Sequence, residues 1–72
     1  MMSLENRKWE ILKEYLNGMS IRQLAKKHQA TTIQISNIIS RAIRELGVNI
    51  KNLYELTPDK VKELKDKLKQ VH

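Results

Sequence analysis

The 72-residue sequence contains no cysteine and no phenylalanine, and it has one proline, one tryptophan, two tyrosines and two glycines. Without cysteine there are no disulfide bonds and no thiolate metal sites, which fits a reducing cytoplasm. Glycine at only positions 18 and 47 excludes a glycine-rich phosphate-binding loop. No apolar run approaches the ~18 residues that span a bilayer, and none resembles the core of a signal peptide. The composition therefore predicts one small, soluble, cytoplasmic domain with no membrane contact.

Side chains that support catalysis or metal binding are also scarce. Neither His28 nor His72 has an acidic residue at the sequence spacing of metal ligands. The serines lack an ordered base, so no nucleophilic triad is predicted. The sequence therefore predicts a protein that is not an enzyme and that needs no cofactor and no metal.

Basic residues, in contrast, are plentiful, and they give a net charge of +6. Residues 1–20 hold three basic and three acidic side chains, whereas residues 21–47 hold five basic and one acidic, a net +4. Residues 48–72 hold six basic and four acidic side chains, a net +2. The excess in the middle segment is typical of a surface that binds phosphates. The alternative is that these side chains are ordinary solubilising charge on helix surfaces.

A short helix is predicted over residues 20–28. Ser20, with Gln23 three residues later, forms a capping-box pattern at its start. Its inward face is formed by Ile21, Leu24, Ala25 and His28. On this face the small side chain of Ala25 lets a second helix cross closely, and His28 is expected to be a partly buried packing residue.

A longer helix is predicted from about residue 32 to residue 46. Thr31 or Thr32 can cap its start, and Gly47 stands at its end. Its inner face carries Ile35, Ile38, Ile39, Ala42, Ile43 and Leu46. Two helices separated by a tight break predict a helix-turn-helix over residues 20–46.

This segment resembles the DNA-binding fourth region of bacterial sigma factors and the related response-regulator modules. The matching residues are Gly18, Ser20, Leu24-Ala25, Thr31 to Ile35, and Arg41-Ala42-Ile43-Arg44-Glu45-Leu46. The chain departs from those families at His28, where they favour an aliphatic residue. It departs again at Gln29, which replaces their turn glycine and must adopt a left-handed conformation. The resemblance implies a bacterial or phage-encoded DNA-binding protein associated with the nucleoid.

The outward face of the second motif helix supplies candidate DNA contacts. Asn37 and Gln34 can form paired hydrogen bonds with adenine, and Ile33 can touch a thymine methyl group unless it is incidental surface hydrophobicity. The helix start can bind a phosphate through backbone amides. The predicted DNA-binding residues are Lys26, Lys27, Thr31, Thr32, Ile33, Gln34, Ser36, Asn37, Ser40, Arg41 and Arg44.

Two further helices flank this motif. The first, over residues 3–17, is expected to use Trp9 as a core anchor rather than as a platform for a base. Residues 48–56 are predicted to be packed, and they lack the alternating strands of a wing. A Thr-Pro-Asp start at 57–59 predicts a final helix over about residues 58–71. The predicted fold is all-α, with a DNA-binding core over residues 1–56 and a C-terminal amphipathic helix over residues 57–72.

The final helix carries an apolar stripe of Val61, Leu64, Leu68 and Val71. This stripe either closes the domain's own core or pairs with its copy in a second subunit. A single helix-turn-helix reads only a few base pairs, so a regulator of this size needs a second copy or a partner. We therefore expect a homodimer, held through this helix and bound to an inverted repeat.

The predicted function is sequence-specific binding of double-stranded DNA by a small transcription regulator that acts by occupying its operator. Two other classes fit the sequence. One is a sigma-like module that binds RNA polymerase or an anti-sigma partner. The other is the DNA-targeting piece of a transposase or recombinase. A salt-dependent gel shift distinguishes the first of these from a DNA-binding protein.

Overall fold

The structure, a computed structural model, describes residues 4–71 and, within them, all side chains except those of Tyr54 and Val71. The described residues form four α-helices: α1 (Lys8–Leu16), α2 (Ile21–Lys27), α3 (Thr32–Glu45) and α4 (Pro58–Val71). Two short 3₁₀ helices, Leu4–Arg7 and Leu53–Glu55, accompany them, and no strand occurs in this part of the chain. The predicted all-α class is confirmed.

The first helix is shorter than the sequence predicts. A single helix was expected over residues 3–17, but a 3₁₀ turn occupies Leu4–Arg7 and the α-helix begins only at Lys8. Arg7, the residue at the start of α1, contributes no capping hydrogen bond from its side chain. A 3₁₀ turn is a common alternative where a helix start has no side-chain cap.

Both central helices begin with reciprocal capping boxes. At the start of α2, Ser20 Oγ accepts from the Gln23 amide at 3.1 Å, and Gln23 Oε1 accepts from the Ser20 amide at 3.0 Å. Thr31 and Gln34 make the same pair of bonds at the start of α3, also at 3.1 and 3.0 Å. The first box confirms the sequence pattern, and the second identifies Thr31 as the cap of α3.

The first three α-helices end in the same way, with a residue in the left-handed region. These residues are Gly18 (φ 107°), Gln29 (φ 53°) and Gly47 (φ 84°). In each case the next residue donates its amide to a carbonyl five positions earlier: Met19 to Glu14, Ala30 to Ala25, and Val48 to Ile43, at 3.1, 2.8 and 3.3 Å. The left-handed conformation expected of Gln29 is confirmed.

Helix α3 is central to the core and packs against both α1 and α2, whereas α4 packs against α1. The largest fully buried side chains come from all four helices: Ile11, Leu12, Leu24, Ile35, Ile39, Ile43 and Leu64. All six residues predicted for the inner face of α3 are buried. This leaves the opposite face of α3 exposed to solvent.

The connection between α3 and α4 is packed, as the sequence predicts. Val48 is buried, and Ile50, Leu53 and Leu56 pack against the core. Lys67 on α4 donates from its Nζ to the Leu46 carbonyl at 3.2 Å. A cation at the C-terminus of a helix is favourable, so this bond ties α4 to the end of α3.

The apolar stripe of α4 closes the chain's own core. Leu64 is fully buried and Leu68 is 7% exposed, whereas Val61 is half-buried. Leu64 and Leu68 therefore pack within the chain's own core, whereas the homodimer stays a prediction. The side chain of Val71 lies outside the described ones. None of the helices within residues 4–71 is long and apolar enough to cross a membrane.

Candidate nucleic-acid interface

The solvent side of α3 carries the predicted DNA-binding residues of this helix. Of the nine predicted residues on and just before α3, seven are exposed and two are half-buried; the exposed ones are Thr31, Thr32, Ile33, Gln34, Asn37, Arg41 and Arg44, and the half-buried ones are Ser36 and Ser40. Lys26 and Lys27, at the end of α2, are exposed as well. Ile33 is the only large apolar side chain of the described residues that is mostly exposed, at 71%.

The start of α3 is suited to binding an anion. The first intrahelical hydrogen bond is donated by Ile35 to the Thr31 carbonyl at 3.1 Å, so the amides of Thr32 and Ile33 precede it. Such amides carry the partial positive charge of the helix N-terminus. A phosphate placed there can accept hydrogen bonds from both amides.

Gln34 and Asn37 differ in what they offer to a base. The Gln34 carbonyl oxygen already accepts from the Thr31 amide in the capping box. Paired hydrogen bonds with adenine need both the oxygen and the nitrogen of a side-chain amide, so the Gln34 oxygen would have to accept from the base and from the cap at once. The Asn37 side chain makes no hydrogen bond to the described residues. Asn37 is therefore better placed than Gln34 for paired bonding to a base.

Two of the predicted cations are engaged within the chain. Arg41 pairs with Glu5, and Lys27 pairs with Glu14. Both members of the Arg41–Glu5 pair are more than half exposed, so solvent screens the pair and a phosphate can compete for Arg41. Lys26 and Arg44 form no ion pair with the part of the chain that the structure describes, and they are available to a phosphate directly.

A polar network fixes the end of α2 to α1. His28 Nε2 lies 2.9 Å from Glu14 Oε1, and the other carboxylate oxygen of Glu14 accepts from Lys27. Burial disfavours the carboxylate of Glu14, but hydrogen bonds from Lys27 and His28 outweigh it and lower the pKa of Glu14. The hydrogen bond to Glu14 raises the pKa of Lys27. His28 is buried and hydrogen-bonded, as its place on the inward stripe predicts.

Glu10 joins this network to form a group that sequence spacing does not reveal. The potential ligand atoms of Glu10, Glu14 and His28 all lie within 4.8 Å of one another. The group combines side chains from α1 and the end of α2, so no local motif marks it. The ammonium group of Lys27 already pairs with the carboxylate of Glu14 and balances its negative charge. We therefore assign the network a structural role.

The ion pairs that Glu5 and Lys8 form with α3 were likewise missed from the sequence. Glu5 and Arg41 are 36 residues apart, and Lys8 and Glu45, whose charged atoms are 2.6 Å apart, are separated by 37. No helical periodicity relates residues at such distances. Only the packing of α1 across α3 brings these side chains together.

The exposed side of α3 thus combines an anion-binding helix start, a free amide side chain, an exposed aliphatic side chain and one available cation, Arg44, and the end of α2 adds a second, Lys26. Comparison of the chain with protein-family models, with curated proteins and with solved structures gives no match in any of the three. The chemistry of this surface therefore carries the functional inference.

Proposed function

We propose that the protein binds double-stranded DNA in a sequence-specific manner, with α2 and α3 as a helix-turn-helix and α3 as the recognition helix. The observation that carries the proposal is the outward row of Ile33, Asn37, Arg41 and Arg44 on a helix whose opposite face is buried. This row offers an apolar contact, a base-reading amide and cations in succession along the helix. A recognition helix needs this set of contacts.

The dimensions of α3 suit the major groove of B-form DNA. Its 14 residues extend for about 21 Å, and a groove about 12 Å wide admits such a helix. With the N-terminal turns in the groove, Ile33 and Asn37 face base edges and Arg41 and Arg44 approach the backbone. The amides of Thr32 and Ile33 then bind a phosphate beside the groove.

The intramolecular ion pairs set how strongly salt opposes binding. When Lys26 or Arg44 binds a phosphate, it gives up only counterions from the solution. Lys27 must in addition break its ion pair with Glu14, and Arg41 its ion pair with Glu5. The logarithm of the affinity should fall with the logarithm of the salt concentration, with a slope of about −0.9 for each phosphate neutralised. The two free cations should therefore dominate this slope.

In this proposal the protein is a small transcription regulator that occupies its operator and thereby blocks or recruits RNA polymerase. The activity uses binding alone, so it needs no catalytic group and no cofactor. One recognition helix reads only a few base pairs, so we propose that two copies bind together at an inverted repeat. We propose that this contact between copies uses surfaces other than Leu64 and Leu68, which are buried in the monomer.

Selection of bound sequences from a pool of random duplexes tests the proposal. We expect an enriched motif with an inverted repeat and a complex that weakens steeply as salt rises. Fluorescence anisotropy on the enriched duplex and on a scrambled duplex then measures the preference. Failure to bind any duplex at low salt, or binding that salt does not affect, would reject DNA as the ligand.

A further inference from the structure

A groove separate from the α3 surface runs between α1 and α4. It has a volume of about 650 Å³, and no residue of α2 or α3 lines it. Trp9 and Leu16 from α1 and Leu68 from α4 contribute apolar surface to it. The groove lies outside the proposed DNA interface, so an occupant leaves the face of α3 open.

The rim of this groove is predominantly basic. Lysines at four positions line it, together with Glu10 and Asp66, which gives the lining a net charge of 4 − 2 = +2; the lysines are Lys13, Lys62, Lys65 and Lys69. A lysine places its aliphatic stem along apolar surface and keeps its ammonium group in water. The groove therefore offers a wide apolar floor with positive charge along its edges.

We propose that this groove binds an acidic amphipathic helix of a partner protein. An apolar stripe on such a helix would cover Trp9, Leu16 and Leu68, and acidic residues beside the stripe would meet the lysines. The α4 side of the groove extends from Lys62 to Lys69, which corresponds to about 10 Å, or two helical turns. Two turns present apolar anchors at the i, i+3, i+4 and i+7 positions that a helix-binding groove accepts.

The charge of the rim favours an acidic partner over a second copy of the chain. A second copy seated groove to groove would place one net positive rim against another, which is unfavourable. Nucleic acid fits less well, because Leu16 and Leu68 in the groove offer no hydrogen bond to a sugar or a phosphate. In addition, Lys8 Nζ lies 5.1 Å from the centre of the Trp9 ring, so a cation of the chain already occupies one side of this ring.

The test uses the full chain and two synthetic peptides of the same length. Both carry leucine at i, i+3, i+4 and i+7; one has glutamate at the remaining positions, and the other has lysine. Trp9 is the only tryptophan of the sequence, so its emission reports occupation of the groove. We expect saturable binding of the glutamate peptide, about tenfold tighter than that of the lysine peptide, which corresponds to a few screened ion pairs.

Charge reversal on the rim provides the matched variants. Lys65→Glu combined with Lys69→Glu should lower the affinity for the glutamate peptide about tenfold. Lys60→Glu, on the same helix but outside the groove, should change its affinity less than about twofold. Circular dichroism of each variant checks that the helices are retained. A DNA-binding measurement on the double variant tests the α3 surface separately from the groove.

Four results would overturn the proposal. Equal affinity for both peptides would mean that binding is hydrophobic and independent of charge. No binding of the glutamate peptide at about 1 mM would mean that the groove does not accept such a helix. A wild-type dimer that the double variant dissociates would assign the groove to a second copy. Tighter binding of a single-stranded oligonucleotide than of the glutamate peptide, with a change in Trp9 emission, would assign it to nucleic acid.

Discussion

Replacement of Leu64 by alanine tests whether α4 belongs to the core of each chain. Leu64 is fully buried, and it belongs to the same apolar cluster as residues of α1, α2 and α3. Truncating a buried leucine to alanine lowers the free energy of unfolding by about 2–5 kcal/mol. Alanine is a good helix former, so the loss reflects packing rather than the propensity of α4 to be helical.

The magnitude is large relative to the whole domain. At about 0.05–0.15 kcal/mol per residue, a chain of this length has a free energy of unfolding of about 4–11 kcal/mol. The substitution should therefore remove at least about a fifth of the stability. Each kcal/mol shifts the Tm of a domain of this size by about 4–8 °C. We expect Leu64→Ala to lower the Tm by at least about 8 °C.

Urea titration followed by circular dichroism measures this loss, with Lys62→Ala as the control. Lys62 is an exposed residue on the same helix, so its truncation should change the stability by less than about 0.5 kcal/mol. The Tm of the wild type should not depend on protein concentration if Leu64 packs within one chain. A loss below about 1 kcal/mol, or a Tm that rises with protein concentration in the wild type alone, would refute the assignment.

Three further substitutions test other features of the structure. Gln29→Gly should raise the free energy of unfolding by about 1 kcal/mol in urea titrations, because glycine adopts the positive φ of 53° without strain; a lower value would contradict this. Hydrogen bonds lower the pKa of Glu14 despite its burial, so its contribution to stability should be present at neutral pH and disappear as the pH falls through that lowered pKa. Urea titrations at several pH values should therefore show that Glu14→Gln is less stable than the wild type near neutrality and equally stable in acid, and a difference that does not change with pH would contradict the network. Glu5→Gln should release Arg41 and tighten binding to any duplex a few-fold in anisotropy titrations, whereas unchanged affinity would show that Arg41 does not contact DNA.

Much of the fold could be predicted from the sequence because its determinants are local. The capping box of Ser20 and Gln23, the left-handed Gln29 and the buried face of α3 each depend on residues within a few positions of one another. Capping, turn conformation and helical periodicity are short-range properties, so a sequence pattern indicates them directly. The start of α1 was predicted several residues too early, because a 3₁₀ turn takes the place of its first turn.

The use of each surface is harder to predict. The stripe of α4 indicates that one side of the helix is buried, but the same pattern results whether its own domain or a second copy covers it. In the structure Leu64 and Leu68 are covered by their own chain. The pairing of Arg41 with Glu5 depends on how α1 crosses α3, so the sequence showed the charges but not which of them are free.

The affinities of wild type and Asn37→Ala for enriched and scrambled duplexes show whether α3 reads the DNA sequence. Asn49→Ala is the matched control, because Asn49 is an exposed asparagine outside α3. We expect Asn37→Ala to lose roughly 5- to 150-fold in affinity for the enriched duplex. Its affinity for the scrambled duplex should stay the same, and its preference at one base pair should relax. Equal losses on both duplexes, or wild-type affinity in Asn37→Ala, would contradict α3 as the helix that reads the sequence.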